Sequence, residues 1–182
     1  MLQHRITLIL GIQTSGKTTL AKAMTDRENC LIVFDHQNLE YTRGLIFESL
    51  NEWLYYQETW RDENFRHILR FSDDDEVSAA LAFVWELRDC TLLCEEVDTL
   101  CSPSWIDESL KKIVKYGAHR NIALVAVSRR LPEVSRLLSS QANCVITFKQ
   151  AEGIDLSALK QRGFDLDAIA HLEPHASLTK TY

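Results

Sequence analysis

The sequence of 182 residues predicts one α/β domain with a mostly parallel central sheet and helices on both faces. Short apolar runs alternate along the chain with stretches whose apolar residues recur at helical spacing. The composition, 46% hydrophobic and 25% charged, is ordinary for a globular protein of this length. We therefore expect a single domain over residues 1–182. Its core should span about 5–150, with C-terminal helices and an edge strand in 151–182.

The apolar runs predict the strands, and five of these are expected to form the core of the sheet. Residues 65–71 form one further run, although Arg66, His67 and Arg70 weaken its alternation. A last strand is expected near the C-terminus. In chain order the predicted strands are 6–10, 30–34, 65–71, 91–94, 122–127, 144–148 and 176–181.

The helices are predicted from their start and stop signals. Acidic residues at 73–76 suit a helix N-terminus because carboxylates complement the helix dipole. Gly117 is expected to end one helix, and Pro132 to begin another in its first turn. The predicted helices start at 18, 39, 72, 102, 132, 155 and 165, and the one from 39 to 56 is rich in aromatic residues.

The cysteines and the hydropathy pattern indicate a reducing compartment. Five cysteines, an odd number without CxxC spacing, are typical of reduced thiols and of neither a disulfide framework nor a zinc site. No apolar run has the length of a membrane span or the pattern of a signal peptide. We therefore expect a cytoplasmic protein that does not insert into a membrane.

The segment from Gly11 to Thr18 matches the phosphate-binding pattern GxxxxGK(S/T) at every fixed position, between a predicted strand and a predicted helix. Backbone N–H groups of such a loop point at phosphate oxygens, and the helix N-terminus adds a positive dipole. Lys17 is expected to reach the β- and γ-phosphates, and the Thr18 hydroxyl to bind Mg²⁺. The predicted ATP-binding residues are Gly11, Ile12, Gln13, Thr14, Ser15, Gly16, Lys17, Thr18 and Thr19.

A second acidic signal follows the predicted strand 91–94. Consecutive residues at a strand end point in different directions, so one carboxylate can face a metal ion while the next faces the γ-phosphate. We assign Glu95 to magnesium and Glu96 to activation of the attacking water. The plainer interpretation of this pair is an acidic turn after a strand, and the phosphate-binding pattern upstream favours catalysis.

Basic residues follow the predicted strand 122–127. Ligands of open parallel sheets lie beyond the carboxyl ends of the strands, so Arg129 and Arg130 are candidates to sense or stabilise phosphate charge. A solvated arginine pair is the alternative. The formal net charge is −6, so a nucleic-acid partner requires a local basic surface.

Four segments give the sequence a resemblance to the FtsK/HerA-type DNA-pumping ATPases, and among them to the phage and viral genome-packaging ATPases. They are Asp35 with the residues after it, Cys94-Glu95-Glu96-Val97-Asp98, the segment 116–121 (YGAHRN) and the segment 127–134 (VSRRLPEV). The sequence departs from that family at two positions. Many members have aspartate in place of Glu95 and glutamine in place of Arg129.

This resemblance implies a RecA-like P-loop NTPase of the ASCE type that translocates double-stranded DNA. It also implies a homo-oligomeric ring, a pentamer or hexamer, in which each subunit lends an arginine to the nucleotide of its neighbour. Arg120 is the first candidate for this finger and Arg130 the second. A capsid portal or a membrane-associated protein would be the docking partner, and a viral protein would act in the host cytoplasm.

Two alternatives remain open from the sequence. A motor of the same superfamily that drives protein export or filament extrusion would use the same core. A small-molecule P-loop kinase has a similar size but would require a substrate-binding insertion and an arginine-rich lid, and no compact lid is visible in the sequence.

Overall fold

The computed structural model describes residues 5–35, 41–59 and 63–182. Within these ranges the chain forms ten strands and seven α-helices. The strands are β1 (Ile6–Leu10), β2 (Cys30–Phe34), β3 (Leu45–Phe47), β4 (Phe65–Leu69), β5 (Thr91–Cys94), β6 (Cys101–Ser102), β7 (Trp105–Ile106), β8 (Ala123–Ser128), β9 (Cys144–Phe148) and β10 (Ser177–Thr181). The helices are α1 (Lys17–Thr25), α2 (Leu50–Thr59), α3 (Asp74–Leu87), α4 (Glu108–Tyr116), α5 (Arg136–Gln141), α6 (Gly153–Gln161) and α7 (Leu166–Ala170).

Eight of the described strands form one sheet in the order β10-β9-β1-β8-β5-β2-β4-β3. Their pairings are parallel except for β10, which runs antiparallel to β9. Strands β1, β5, β8 and β9 are buried at every position, because helices cover both faces. The predicted α/β class with a mostly parallel sheet and flanking helices is confirmed.

The register of the central strands brings four strand ends to one edge of the sheet. Leu10 of β1 lies opposite Ser128 of β8. Cys94 of β5 lies between Ala126 of β8 and Phe34 of β2. Because these strands are parallel, the residues that follow them converge at the carboxyl edge, where open α/β sheets bind ligands.

The segment predicted as one helix over 39–56 differs from that prediction. Its residues 39 and 40 lie outside the described ranges. Leu45–Phe47 forms the short strand β3 against β4, and the helix α2 starts only at Leu50. Trp53 is fully buried under this helix, and its indole N–H donates to His67 Nδ1 at 3.2 Å. The aromatic residues therefore pack α2 onto the sheet.

The prediction that a helix starts at residue 102 was also wrong. Residues 101–106 form the β6–β7 hairpin, and α4 begins at Glu108. Asp107 caps this helix, because its carboxylate accepts from the backbone N–H groups of Ser109 and Leu110. The helix ends at Gly117 as predicted, although the chain continues there into a 3₁₀ turn.

The remaining predicted elements have counterparts close to their expected positions. Pro132 lies in a 3₁₀ helix ahead of α5, and the last predicted strand is β10. All five cysteines are free thiols. No helix in the described part of the chain has the length and apolar character needed to cross a membrane.

Candidate active site

A cleft of about 340 Å³ opens at the carboxyl edge of the sheet, and we call it the main cleft. It combines the phosphate-binding loop with the ends of β2, β5 and β8, which the register described above brings together. Its lining residues are Gln13, Thr14, Ser15, Gly16, Lys17, Thr18, Thr19, Asp35, Glu95, Glu96, Val127, Ser128, Arg129 and His175. Most residues assigned to the site from the sequence thus lie together.

The phosphate-binding loop wraps tightly between β1 and α1. Thr14 and Gly16 have left-handed backbone conformations, with φ of 63° and 105°. Gly11 is required by packing, since a Cβ there would lie 2.6 Å from Ser15 Oγ and 2.8 Å from Phe148 Cβ. These constraints give the loop the inward curl that a phosphate cradle needs.

Lys17 lies over this loop at the start of α1. Its Nζ donates to the carbonyl oxygen of Ile12 at 2.7 Å. Burial lowers the pKa of Lys17, while Glu95 opposes that shift and Arg129 adds to it. The ammonium therefore stands among carboxylates in the main cleft, close to the loop that would hold phosphates.

Glu95 is nearly buried and its two carboxylate oxygens have different partners. Oε1 accepts a hydrogen bond of 2.7 Å from the hydroxyl of Tyr41, and Oε2 lies 3.5 Å from Thr18 Oγ1. Burial raises the pKa of Glu95, and the hydrogen bonds from Tyr41 and Thr18 act in the opposite direction. The side chain is thus held in one orientation, facing the helix start.

A further buried carboxylate, Asp35, follows β2 and lines the same cleft. Its Oδ2 accepts from Arg70 Nε at 3.1 Å, whereas its Oδ1 has no hydrogen-bond partner among the described residues. Oxygen ligands of this kind, with the Thr18 hydroxyl and the Glu95 carboxylate, suit Mg²⁺. The residues present therefore fit a magnesium ion shared with nucleotide phosphates.

Glu96 faces the cleft from an unusual backbone conformation. Its φ of 50° and ψ of 55° are left-handed, which a residue other than glycine adopts only when the surroundings hold it there. Its Oε1 pairs with Arg129 Nη2 at 3.0 Å. Glu96 and Arg129, which the sequence assigned to water activation and phosphate sensing, are therefore neighbours.

Two arginines considered as fingers lie outside the residues that line the main cleft. Arg120 precedes β8, so it lies at the amino edge of the sheet, opposite the cleft. Its guanidinium stacks on Trp85 at 4.4 Å from the ring centroid and donates to the Trp85 carbonyl and Glu86. A role in a neighbouring subunit stays a prediction.

Arg130 belongs to a local acidic cluster. Its Nε donates to both oxygens of the buried Asp155 at 3.0 and 3.1 Å, and its Nη2 donates to Glu152 at 2.6 Å. The hydrogen bond to Asp155 raises the pKa of Arg130. Within its own chain this arginine joins the end of β8 to α6, and a finger role likewise stays a prediction.

Tyr41, Arg70 and His175 contact the site and were not assigned to it from the sequence. Tyr41 and Arg70 hold Glu95 and Asp35, and His175 lies against the phosphate-binding loop, with Nδ1 3.3 Å from the Ser15 carbonyl oxygen. Each comes from a segment far along the chain from its partner. No local spacing in the sequence predicts such contacts. The position of Asp35 directly after a predicted strand was the one local indication that this part of the chain contributes to the site.

No protein-family model matches the chain, and no curated protein matches it in sequence. Solved structures do match. The genome-packaging NTPase B204 of Sulfolobus turreted icosahedral virus 2, in complex with ATP-γS, superposes with a TM-score of 0.79 at 15% identity. The match covers 100% of this chain and 93% of B204. The chain shares its fold.

Two further structures extend this likeness. B204 described as the DNA-packaging ATPase from Sulfolobus turreted icosahedral virus matches with a TM-score of 0.70 at 13% identity, over 97% of this chain and 92% of that one. VirB4 of Thermoanaerobacter pseudethanolicus matches with a TM-score of 0.64 at 13% identity, over 97% and 88%. The resemblance to genome-packaging ATPases deduced from the sequence is thus confirmed at the level of the fold.

Proposed function

We propose that this protein is an ATP-hydrolysing motor that translocates double-stranded DNA, and that it packages a viral or phage genome. One observation carries the proposal. Lys17, Thr18, Glu95 and Glu96 meet in a single cleft, between a phosphate-binding loop and the end of a buried strand. That arrangement supplies a cation for phosphates, oxygens for magnesium and a second carboxylate for water chemistry.

In this proposal the reaction is in-line attack of water on the γ-phosphate. Glu96 orients and polarises the water, and its contact with Arg129 places a cation beside it. Lys17 and the backbone N–H groups of the loop hold the β- and γ-phosphates. The phosphoryl group passes to water, so no covalent intermediate on the protein is required.

Magnesium, when bound with ATP, would neutralise charge on the β- and γ-phosphates. Thr18 and Glu95 would hold it, with Asp35 close by. Tyr41 fixes the Glu95 carboxylate through the 2.7 Å hydrogen bond, and Arg70 fixes Asp35. Protein sites for magnesium commonly supply only one or two carboxylates, since phosphates and water complete the shell.

The choice of DNA as the cargo is supported by the shared fold and by the sequence segments that resemble packaging ATPases. The net charge of −6 means that the contact with DNA would use a local basic surface. We further propose a ring of five or six subunits, with a capsid portal or a membrane-associated protein as the docking partner. The alternative is a motor for protein export or filament extrusion, and the following test distinguishes it from a DNA translocase.

The test is the rate of ATP hydrolysis as a function of protein concentration, with and without duplex DNA. A motor with a site shared between subunits gives a specific activity that rises with concentration and rises again with DNA. Duplexes of about 20 and 100 base pairs, compared at equal mass, distinguish stimulation along a track from stimulation by simple charge. Heparin at matched charge is the control for the latter.

Each outcome decides one part of the proposal. Activity that depends on concentration but ignores DNA retains the oligomeric ATPase and moves the cargo to a protein. Activity that is equal at all concentrations argues against a shared site. A wild-type protein that binds but does not hydrolyse ATP, with or without DNA, contradicts the proposed motor.

A further inference from the structure

Helices α4 and α5 pack against each other, and the side chains that they turn to solvent are rich in cations. The backbone N–H of Ser135, the cap of α5, donates to Cys101 Sγ in the hairpin before α4 at 3.5 Å, so the two helices start close together. They carry four cations and one carboxylate, a formal charge of +3 in a chain of −6. We call the following exposed or half-exposed side chains the basic face: Lys111, Lys112, Lys115, Tyr116, Arg136 and Ser140.

The sign of this charge is not a general property of the surface helices. Helix α3 packs beside α4 and exposes Asp74, Asp75 and Glu86 instead. A charged outer face is ordinary for an amphipathic helix, but the sign of its charge is not set by amphipathicity. Cations that cluster on one face of an acidic protein are the electrostatic footprint of binding to a polyanion.

Three cations of the basic face have no counter-charge within the protein. In the described part of the chain, no carboxylate forms an ion pair with Lys112, Lys115 or Arg136. Lys111 differs, because its Nζ lies 2.9 Å from Oε1 of Glu108. Lysines three and four residues apart are neighbours on a helix surface and repel one another. A bound anion would remove that repulsion.

The chemistry of the basic face favours phosphate groups over the surface of another protein. Lysine, arginine and hydroxyl side chains are the groups that contact phosphate oxygens in DNA complexes. Lysine is depleted in protein–protein interfaces relative to the rest of the surface. Lys112 and Tyr116 are four residues apart, so an ammonium and a phenol hydroxyl lie along one stripe of α4.

We propose that the basic face binds the phosphate backbone of duplex DNA, independently of base sequence. The inference rests on the proposed function, because it takes duplex DNA as the cargo. The order of the elements supports it. Helix α4 is the first α-helix after Glu96 and α5 is the first after Arg129, two residues of the main cleft that pair at 3.0 Å. A duplex on this face would contact the two helices that follow the ends of β5 and β8.

The first test is the affinity for a fluorescent duplex of about 30 base pairs, measured by anisotropy over a range of salt concentrations. Lys112→Gln combined with Lys115→Gln should weaken binding about tenfold or more at about 100 mM salt. The slope of log affinity against log salt should fall in magnitude by about 2. The matched control is Arg27→Gln combined with Lys160→Gln, which removes the same charge at exposed positions outside the basic face. Equal losses in the two double variants overturn the assignment.

A second variant is expected to gain affinity, which misfolding does not produce. Glu108→Gln removes the one carboxylate of α4 and α5 and releases Lys111 from its ion pair. The Glu108 side chain is 84% exposed, so the fold depends little on this pair. The affinity for the duplex should rise about threefold or more at about 100 mM salt. An affinity that stays the same or falls contradicts the assignment of this face to DNA.

The wild type separates this inference from the proposed function. If it binds the duplex and the double lysine variant binds with the same affinity and slope, the basic face is not the DNA site and DNA remains the cargo. The face would then suit an acidic protein partner. A wild type that binds no duplex even at about 50 mM salt overturns both the inference and the choice of DNA as the cargo.

Discussion

The hydroxyl of Tyr41 donates a 2.7 Å hydrogen bond to Oε1 of Glu95, across 54 residues of sequence. Both side chains are buried, so water competes little for this contact. The other carboxylate oxygen of Glu95 faces the Thr18 hydroxyl at 3.5 Å. Tyr41 therefore fixes the direction in which Glu95 would present an oxygen to magnesium, as supporting residues around metal ligands do.

Replacement of Tyr41 by phenylalanine should weaken the use of magnesium while the fold is kept. We expect the magnesium concentration for half-maximal ATP hydrolysis to rise about 10-fold or more, because the Glu95 carboxylate loses its orienting donor. The measurement is a magnesium titration at saturating ATP. Tyr55→Phe is the matched control, since Tyr55 is 70% exposed on α2. An unaltered magnesium requirement in Tyr41→Phe contradicts this role.

Two glycines offer a paired test of the phosphate-binding loop. A methyl group at Gly11 would collide with Ser15 Oγ and with Phe148 Cβ, whereas one at Gly153 would meet nothing within 4 Å. Gly11→Ala should therefore weaken ATP binding by about 10-fold or more, and Gly153→Ala should leave it unchanged. Equal effects of the two substitutions, measured by calorimetry, argue against a tightly packed loop.

The finger role of Arg120 is open to a mixing experiment. Arg120→Ala and Glu96→Gln should each be nearly inactive alone. In a shared site, an Arg120→Ala subunit with an intact Glu96 regains the missing arginine from a Glu96→Gln neighbour. A mixture should then recover a measurable part of the wild-type ATPase rate, whereas no recovery at any ratio rejects Arg120 as the finger.

Arg120 also contacts Trp85 and Glu86, so its removal is expected to lower the stability of the fold as well. The melting temperature of Arg120→Ala should be measured beside its activity. Glu86→Ala removes the exposed salt-bridge partner and leaves the guanidinium in place, which makes it the matched control for stability. Loss of activity in Arg120→Ala alone then separates a role in hydrolysis from simple destabilisation.

A buried thiol makes stability depend on alkaline pH. Burial raises the pKa of Cys90 from 9.0 to about 12, so at pH 10 the native thiol stays protonated while the unfolded one ionises. The unfolded state then binds fewer protons, and the free energy of unfolding falls as pH rises above 9. At pH 10 the loss from this group is about 1 kcal/mol relative to pH 7.5.

Urea unfolding at both pH values tests this account of Cys90. Cys90→Ala should lose about 1 kcal/mol less stability than the wild type between pH 7.5 and pH 10, whatever its stability at pH 7.5. The comparison uses the change in the free energy of unfolding with pH. The destabilising effect of the small cavity created by the substitution is the same at both pH values and therefore cancels. Parallel losses in the two proteins contradict a protonated buried thiol.

Much of the fold follows from local patterns in the sequence. Strands buried on both faces read as continuous apolar runs, which is why β1, β5, β8 and β9 were predicted within a residue of their ends. The pattern of Gly11 to Thr18 predicted the loop, and carboxylates after a strand predicted Glu95 and Glu96 in the cleft. These features depend on residues that are neighbours in the sequence, so they can be predicted from one sequence alone.

Features decided by distant partners were missed. β3 forms because β4 offers backbone partners, and nothing in Leu45–Phe47 itself distinguishes three strand residues from a helix. Ser102-Pro103-Ser104 has the composition of a helix start, yet Asp107 provides the cap because the hairpin turns before it. Tyr41 and His175 reach the site only through tertiary packing, which no spacing in the sequence encodes.

The most direct test of the proposed chemistry separates binding from hydrolysis at Glu96. ATP affinity and single-turnover hydrolysis should be measured for the wild type, Glu96→Gln and Lys17→Ala. We predict that Glu96→Gln binds ATP within about threefold of the wild type and hydrolyses it at least about 100-fold more slowly, while Lys17→Ala loses binding as well. Hydrolysis by Glu96→Gln at the wild-type rate would contradict the assignment of Glu96 and, with it, the mechanism proposed for this site.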